Sequence, residues 1–594
     1  MGTITAPYNF VPLNKYVYCP DWAGQVSQDI PFSDGEDGYI EVTWRNVSPL
    51  CIRDASAERG KDKGNSYYSM HIKQSKDSRL YFLPGSSLRG MLRNTLNIMS
   101  FGKMVQYDDR FFGHREFDTK KPEGKKYQNK MKKAKVGWLH KVEQEDDKYV
   151  LYPCVGDLDK MRIEEVSKLY PKYDDKKTSW ERNEYIKEKA GKYFPVVRTG
   201  LHLFATGQMH NAKNPQKGKQ HELLIPEPNR KKAFSSIDEA VKKFFTTYEP
   251  SPDFEKYKEL LDRGTDIPVS YIRKGEEVVT IGLGRMFRYP YQYGVKDLVE
   301  KEQSPDEYKG KHDLCETIFG WVDENQKQKS HMKGRVQIGN AFCVRDIRDK
   351  ELQDSVGGVL GEPKPSFYPL YVKQTEGGPY RTYEDGEGIA GRKLYRIHKG
   401  NSGVKLPQGN ENSSVMSHFI PIPAGHEFVM RINVHNLRKV EIGALLSAIT
   451  LHENQKVYHN IGSAKGYGYG KLECEKCTLF SLKHSEEEYL KAFEQEMSNW
   501  AREEWNKTEA VEHLLAIASE HKDDCLRMME MDKKKSPIGA NEYLHYSKNT
   551  NFSRLTEELK PSRSFLTEEE RRKREEIGLE KSKLKFKDEN KNSI

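Results

Sequence analysis

The chain has 594 residues, with 98 Lys and Arg against 89 Asp and Glu for a net charge of +9, and 36% of it is hydrophobic. Its 33 Tyr, 24 Phe and 7 Trp are enough to build cores, which excludes a disordered chain, and its 8 scattered cysteines are too sparse for a disulfide scaffold. The mild basic excess permits an anionic partner without requiring one; no apolar run approaches bilayer length and the opening MGTITAPYNFVPLNKY has no leader-like core, so a cytoplasmic protein that does not enter a membrane is expected.

Residues 39–52, YIEVTWRNVSPLCI, alternate at Ile40, Val42 and Trp44 and predict a strand. A polar loop, RDASAERGKDKGNS, follows. It leads into LPGSSLRGMLRNTLNIM, where Leu88, Met91, Leu92, Leu96 and Met99 fall on one helical face and Ser86 or Ser87 is placed to cap the helix. Residues 105–315 form a large insertion with Lys-rich runs and a helical block near 235–247; a stretch of that length is expected to contain at least one small subdomain. Regular order resumes with Val336 and Ile338, then Phe342 and Val344 after a slip, which predicts a strand or hairpin. EFVMRINVHN (427–436) alternates at Phe428, Met430, Ile432 and Val434, and the next segment places Ile442, Leu445, Leu446 and Ile449 on one helical face. A Gly-rich loop and a last strand follow. This order gives an α+β fold with a ferredoxin-like (RRM-like) βαββαβ core split by an insertion. The core halves are 1–104 and 316–483, the insertion is 105–315, and 484–594 is a helical C-terminal region with a charged tail. That region opens with a capping box, Ser485 to Glu488, and a stripe of Tyr489, Phe493, Met497 and Trp500.

Two stretches point to anion binding. A Gly-Ser-Ser turn at a helix start offers unpaired N–H groups and the positive end of the helix dipole to a phosphate, and Arg89 and Arg93 lie one turn apart away from the apolar stripe. GSAKGYGYGK (462–471) interleaves glycines that let backbone approach phosphates, tyrosines with flat faces for bases, and Lys465 and Lys471. It is neither a Walker loop nor a dinucleotide fingerprint. In a ferredoxin-like sheet this loop lies near the first helix start, so the two stretches are expected to form one site. Cys474 and Cys477 make a CxxC on a strand, but a zinc site needs two further ligands and is not expected.

In combination and order, PGSSLRGMLR, IFGW…KGRVQIGNAF and NIGSAKGYGYGKLE resemble the CRISPR-associated RAMP superfamily, most closely the backbone-subunit branch of type III effector complexes in a large variant with an insertion. The resemblance implies a subunit that lines up along a CRISPR guide RNA, grips its phosphates, meets target single-stranded RNA and docks other effector subunits. It implies that Gly85, Ser86, Ser87, Arg89 and Arg93 bind guide backbone, that Gly462, Lys465, Gly466, Tyr467, Gly468 and Gly470 form the loop against it, and that Arg335 is a lesser contact. In many such subunits an acidic residue with a divalent metal such as Mg2+ cleaves target RNA. The acid is expected near Ser69–His71, where this chain has none; Asp54 or Asp62, with Asp54 as metal ligand, is the candidate after a shift, and His71 is a candidate base. Two other readings stay open: a metal-independent endoribonuclease that matures CRISPR precursor RNA through His71, and a non-catalytic structural subunit.

Overall fold

The alternation in YIEVTWRN forms β1 (Glu36–Asn46), whose Ile40, Val42 and Trp44 are fully buried. The strand stops short of residue 52 because the Asn46 side-chain amide closes a turn onto the carbonyls of Ser48 and Pro423. The computed structural model describes residues 4–546 apart from 54–58, 61–65, 121, 143–147, 208–218, 250, 252, 324–329, 362–363, 376–378, 402, 404–405, 407–415 and 522–525.

After β2 (Ser78–Leu83) comes α1 (Gly85–Met99), then the short strands β3 (Val336–Ile338) and β4 (Ala341–Cys343), β5 (Glu427–Leu437), α2 (Lys439–Thr450) and β6 (Lys471–Phe480). β6 and β5 flank β1, and β3 and β4 pair with the far edge of β5, all antiparallel. Counting β3 and β4 as one broken strand, this is the 4-1-3-2 sheet of a ferredoxin-like βαββαβ fold, and β2 extends it by pairing with β4. β3 and β4 break at Gly339 and Asn340, so Ala341 and Cys343 face the core and Phe342 and Val344 face outward, the reverse of the simple alternation.

Phe428, Met430, Ile432 and Val434 of β5 meet α1 and α2 over one face of the sheet. Each such side chain contributes about 1.5–3 kcal/mol on burial. α2 is buried on nearly all sides, from Glu441 to Ile449, because α3 (Glu486–Ala501) covers its second face. The helices approach closely at Gly443, where a Cβ would stand 2.0 Å from the carbonyl of Tyr489. The Ser485–Glu488 capping box starts α3, and Tyr489, Phe493 and Met497 are its buried stripe. Next, Trp505 donates from Nε1 to the Met99 carbonyl (2.7 Å) and closes the C-terminus of α1, and α4 (Glu509–Ala518) packs beside it.

Two units divide the chain: Met1–Gln106 with Val299–Thr382 and Glu387–Ile594, and Tyr107–Leu298 with Tyr383–Gly386. The second has its own core. An antiparallel sheet of Glu277–Gly282, Ile267–Lys274, Lys135–Lys141 and Tyr149–Pro153 packs Trp138, Leu139 and Leu151 against Phe244 and Tyr257 of the helices Asp238–Tyr248 and Phe254–Asp262. Among the described residues no helix is long and apolar enough to cross a membrane.

Candidate nucleic-acid interface

The start of α1 is built by two distant motifs. Pro84, not a serine, occupies the N-cap position, and no side chain of its own segment caps the helix. Asn340 does so instead: its Oδ1 accepts from the Gly85 N–H at 2.8 Å. A side-chain cap of this kind is worth about 1 kcal/mol. Gly85 is required here, because a Cβ would stand 2.4 Å from the Ile338 carbonyl. Ser86 and Ser87 thereby move into the first turn, Ser86 exposed and Ser87 half-buried, with their hydroxyls free of the capping role expected of them.

The Gly-rich loop holds a 3-10 turn over Lys465–Tyr467, entered through Ala464 at φ 56° and left through Gly468 at φ 80°. Ser463 and Gly470 donate their N–H groups to the carbonyls of Cys51 and Pro49, and His398 bonds the carbonyl of buried Gly466 at 3.1 Å. Gly470, at φ 80°, lets the Ile461 carbonyl stand 1.8 Å from where a Cβ would be. Gly462 lies at the mouth of the loop. Of its tyrosines, Tyr469 is a core residue packed on Phe419 (5.6 Å) and offers no face to a base, whereas Tyr467 is half-buried.

These parts meet. Ser87, Gly90 and Asn94 of α1 and Gly462 and Lys465 of the loop line one groove of about 630 Å³. The segment Arg392–Tyr395, paired with the strand Tyr8–Val11, forms a third wall and contributes Lys393 and Tyr395. The amines of Lys393 and Lys465 lie 5.2 and 5.5 Å from the centroid of the Tyr395 ring. Burial pushes the Lys465 amine down; burial, then the charge of Lys465, pushes Lys393 down to about 8. No carboxylate among the described residues offsets either shift. Lys393 was not legible in sequence: nothing in GRKLYR marks its lysine as half-buried.

The arginines point elsewhere. The Arg89 guanidinium donates to the Phe319 carbonyl and lies over that ring at 5.6 Å, and burial lowers its pKa. Arg93 neighbours Cys315 on the same side of the helix, and neither arginine lines the groove. Arg335, expected as an RNA contact, is fully buried. It donates from Nε to the Thr317 carbonyl (2.9 Å) and from Nη1 to the Asn436 carbonyl, and pairs with Glu441, so it ties β3 to the start of α2 and cannot reach a ligand.

Of the catalytic candidates, Asp54 and Asp62 lie outside the described residues. Where the acid was expected, Ser69 is buried and its Oγ accepts from the Ile52 N–H (3.1 Å). His71 donates from Nδ1 to the Ser69 carbonyl (2.8 Å) between the rings of Tyr68 and Tyr81, so in the neutral ring Nε2 is the basic nitrogen. Among the described residues no three His, Cys, Asp or Glu side chains are grouped to hold a metal. The Cys474 and Cys477 sulfurs lie 3.6 Å apart because a bulge in β6 opposite Thr43 and Trp44 brings both to one face.

No curated protein sequence is similar to this chain. Among solved structures, the crystal structure of Thermofilum pendens Csc2 is similar to 30% of this chain at 15% identity and a TM-score of 0.14, and the chain spans 40% of that structure's length. Residues 45–286 match the RAMP superfamily, from the end of β1 through α1 into the second unit. That match takes in α1, the helix set on the 4-1-3-2 sheet.

Proposed function

We propose that this chain is an RNA-binding backbone subunit of a type III-like RNA-guided CRISPR effector, and that it grips the sugar–phosphate backbone of the guide RNA in the groove between α1 and the Gly-rich loop. One observation carries the reading: Ser87 and Lys465, far apart in sequence, line the same groove, and its cationic wall lacks a carboxylate counter-charge among the described residues. A groove of that kind favours a polyanion and reads backbone rather than bases. Ser87 lines it as a hydroxyl donor at the positive end of α1. Target single-stranded RNA would pair with the held guide, and neighbouring effector subunits would dock along it.

The test is purification of the full chain with its RNA, followed by Lys465→Glu. The variant is expected to lose guide RNA of every sequence alike, with affinity falling about tenfold at physiological salt. A loss confined to particular sequences would contradict backbone gripping. In the same assembly, Asp54→Ala and Asp62→Ala test cleavage of complementary RNA in Mg2+; if neither slows a cut that the wild type makes, those two aspartates are not its acids. Processing of precursor RNA without metal would favour the maturation reading instead.

A further inference from the structure

Two half-buried lysines that share a wall and lack a carboxylate among the described residues are an unfavourable arrangement in a free protein. Like charges repel, and each amine has lost part of its hydration. The surroundings tolerate the charges without neutralising them. Lys393 lies 3.9 Å from the centroid of the Tyr8 ring, 5.2 Å from that of Tyr395 and 5.9 Å from that of Tyr371, so aromatic faces on three segments receive it. Among the described residues the titratable groups facing it are those tyrosines and Lys465. Burial raises the Tyr8 and Tyr395 hydroxyls, which keeps them neutral and leaves the wall net positive. Such a wall gains most from a ligand that brings concentrated negative charge.

We propose that Lys393 and Lys465 form a two-lysine subsite for backbone phosphates of single-stranded RNA, with both amines against the Tyr395 ring. Lys465 alone belongs to the Gly-rich loop. Lys393 comes from the ribbon that Arg392–Tyr395 makes with Tyr8–Val11, an element outside the βαββαβ core, so the subsite joins a loop of the core to a ribbon outside it. The inference rests on the RNA reading for the identity of the ligand, but the geometry of the two amines is independent of it. The depressed Lys393 amine adds a signature. It is charged below about pH 8 and neutral above, so its contribution to binding is present at pH 7 and lost as pH rises through 8.

The experiment uses a labelled oligonucleotide of adenosine and cytidine only, whose bases do not titrate between pH 7 and 9, bound to the full chain over a salt series. Wild type is expected to bind more weakly at pH 9 than at pH 7. Lys393→Arg, which keeps its charge, should lose less affinity between pH 7 and pH 9 than wild type does. Lys393→Gln and Lys465→Gln should each flatten the slope of log affinity against log salt by about 0.7. If Lys393→Gln keeps the wild-type slope and pH dependence while RNA still binds, the subsite is wrong and the RNA reading survives. A second measurement follows the rate of amine labelling at Lys393 by mass spectrometry. Protection by the oligonucleotide and not by equimolar inorganic phosphate supports a backbone site. Protection by inorganic phosphate in a chain that binds no RNA would overturn the RNA source, and protection by neither would overturn both.

Discussion

Arg335→Ala is expected to lower the unfolding free energy by about 3–5 kcal/mol and to leave the RNA affinity of the folded fraction unchanged. The reason is the depth of the guanidinium. Its side chain is buried with that of Glu441, which also accepts from Thr317 Oγ1 (2.9 Å) and from the Arg438 N–H (2.9 Å) at the start of α2. Alanine removes the cation and leaves the Glu441 carboxylate buried without its charge partner, along with unsatisfied carbonyls at Thr317 and Asn436. Denaturant midpoints give the size of the effect, and anisotropy below the transition gives the affinity. Arg335→Met combined with Glu441→Gln should recover part of the loss, because no unpaired charge remains, and the double-mutant cycle should show strong coupling. If Arg335→Ala is as stable as wild type yet releases RNA, the buried placement is wrong and the family-based expectation of a contact is right.

That contrast shows which parts of the molecule its sequence discloses. Elements that bury one face of a regular repeat were legible: the alternations of β1 and β5 and the stripes of α1 and α3 have the period of their own geometry, and burial follows the period. α2 was legible as a helix but not as a helix buried on both sides, because its second face depends on α3 reaching Gly443. Features set by long-range partners were not legible. Arg335 stands just before β3, where the pattern leaves it outward, and its acceptors come from residues 317, 436 and 441. The cap of α1 is an asparagine from the break between β3 and β4, so local capping logic chose the nearer serines. Tyr469 lies in a loop whose composition promises exposure, yet it packs on Phe419 beneath that loop. The bulge that brings Cys474 and Cys477 together changes face parity in a way that strict alternation does not predict. At the site, the pairing of helix start with Gly-rich loop was readable through topology. The third wall was not, because Lys393 belongs to a ribbon with no motif and its burial depends on three aromatic partners.

The same geometry allows fold and function to be separated at a single position. Gly90 is exposed on the groove side of α1, and a Cβ there would meet no atom within 4 Å. Its conformation is helical, so Gly90→Ala should stabilise the protein by about 1 kcal/mol through helix propensity alone, with RNA affinity little changed. Gly90→Glu has most of the same propensity gain but adds a carboxylate to the groove that Lys393 and Lys465 line. There it repels RNA phosphates and competes with them for the two amines, and affinity should drop about tenfold or more relative to Gly90→Ala, most steeply at low salt. Gly90→Lys should move affinity the other way. The melting temperature of the glutamate variant should stay at or above that of wild type, so the lost binding cannot be ascribed to unfolding. Equal RNA binding by Gly90→Glu and Gly90→Ala would mean that the nucleic acid does not occupy this groove, whatever the sheet and the family match imply.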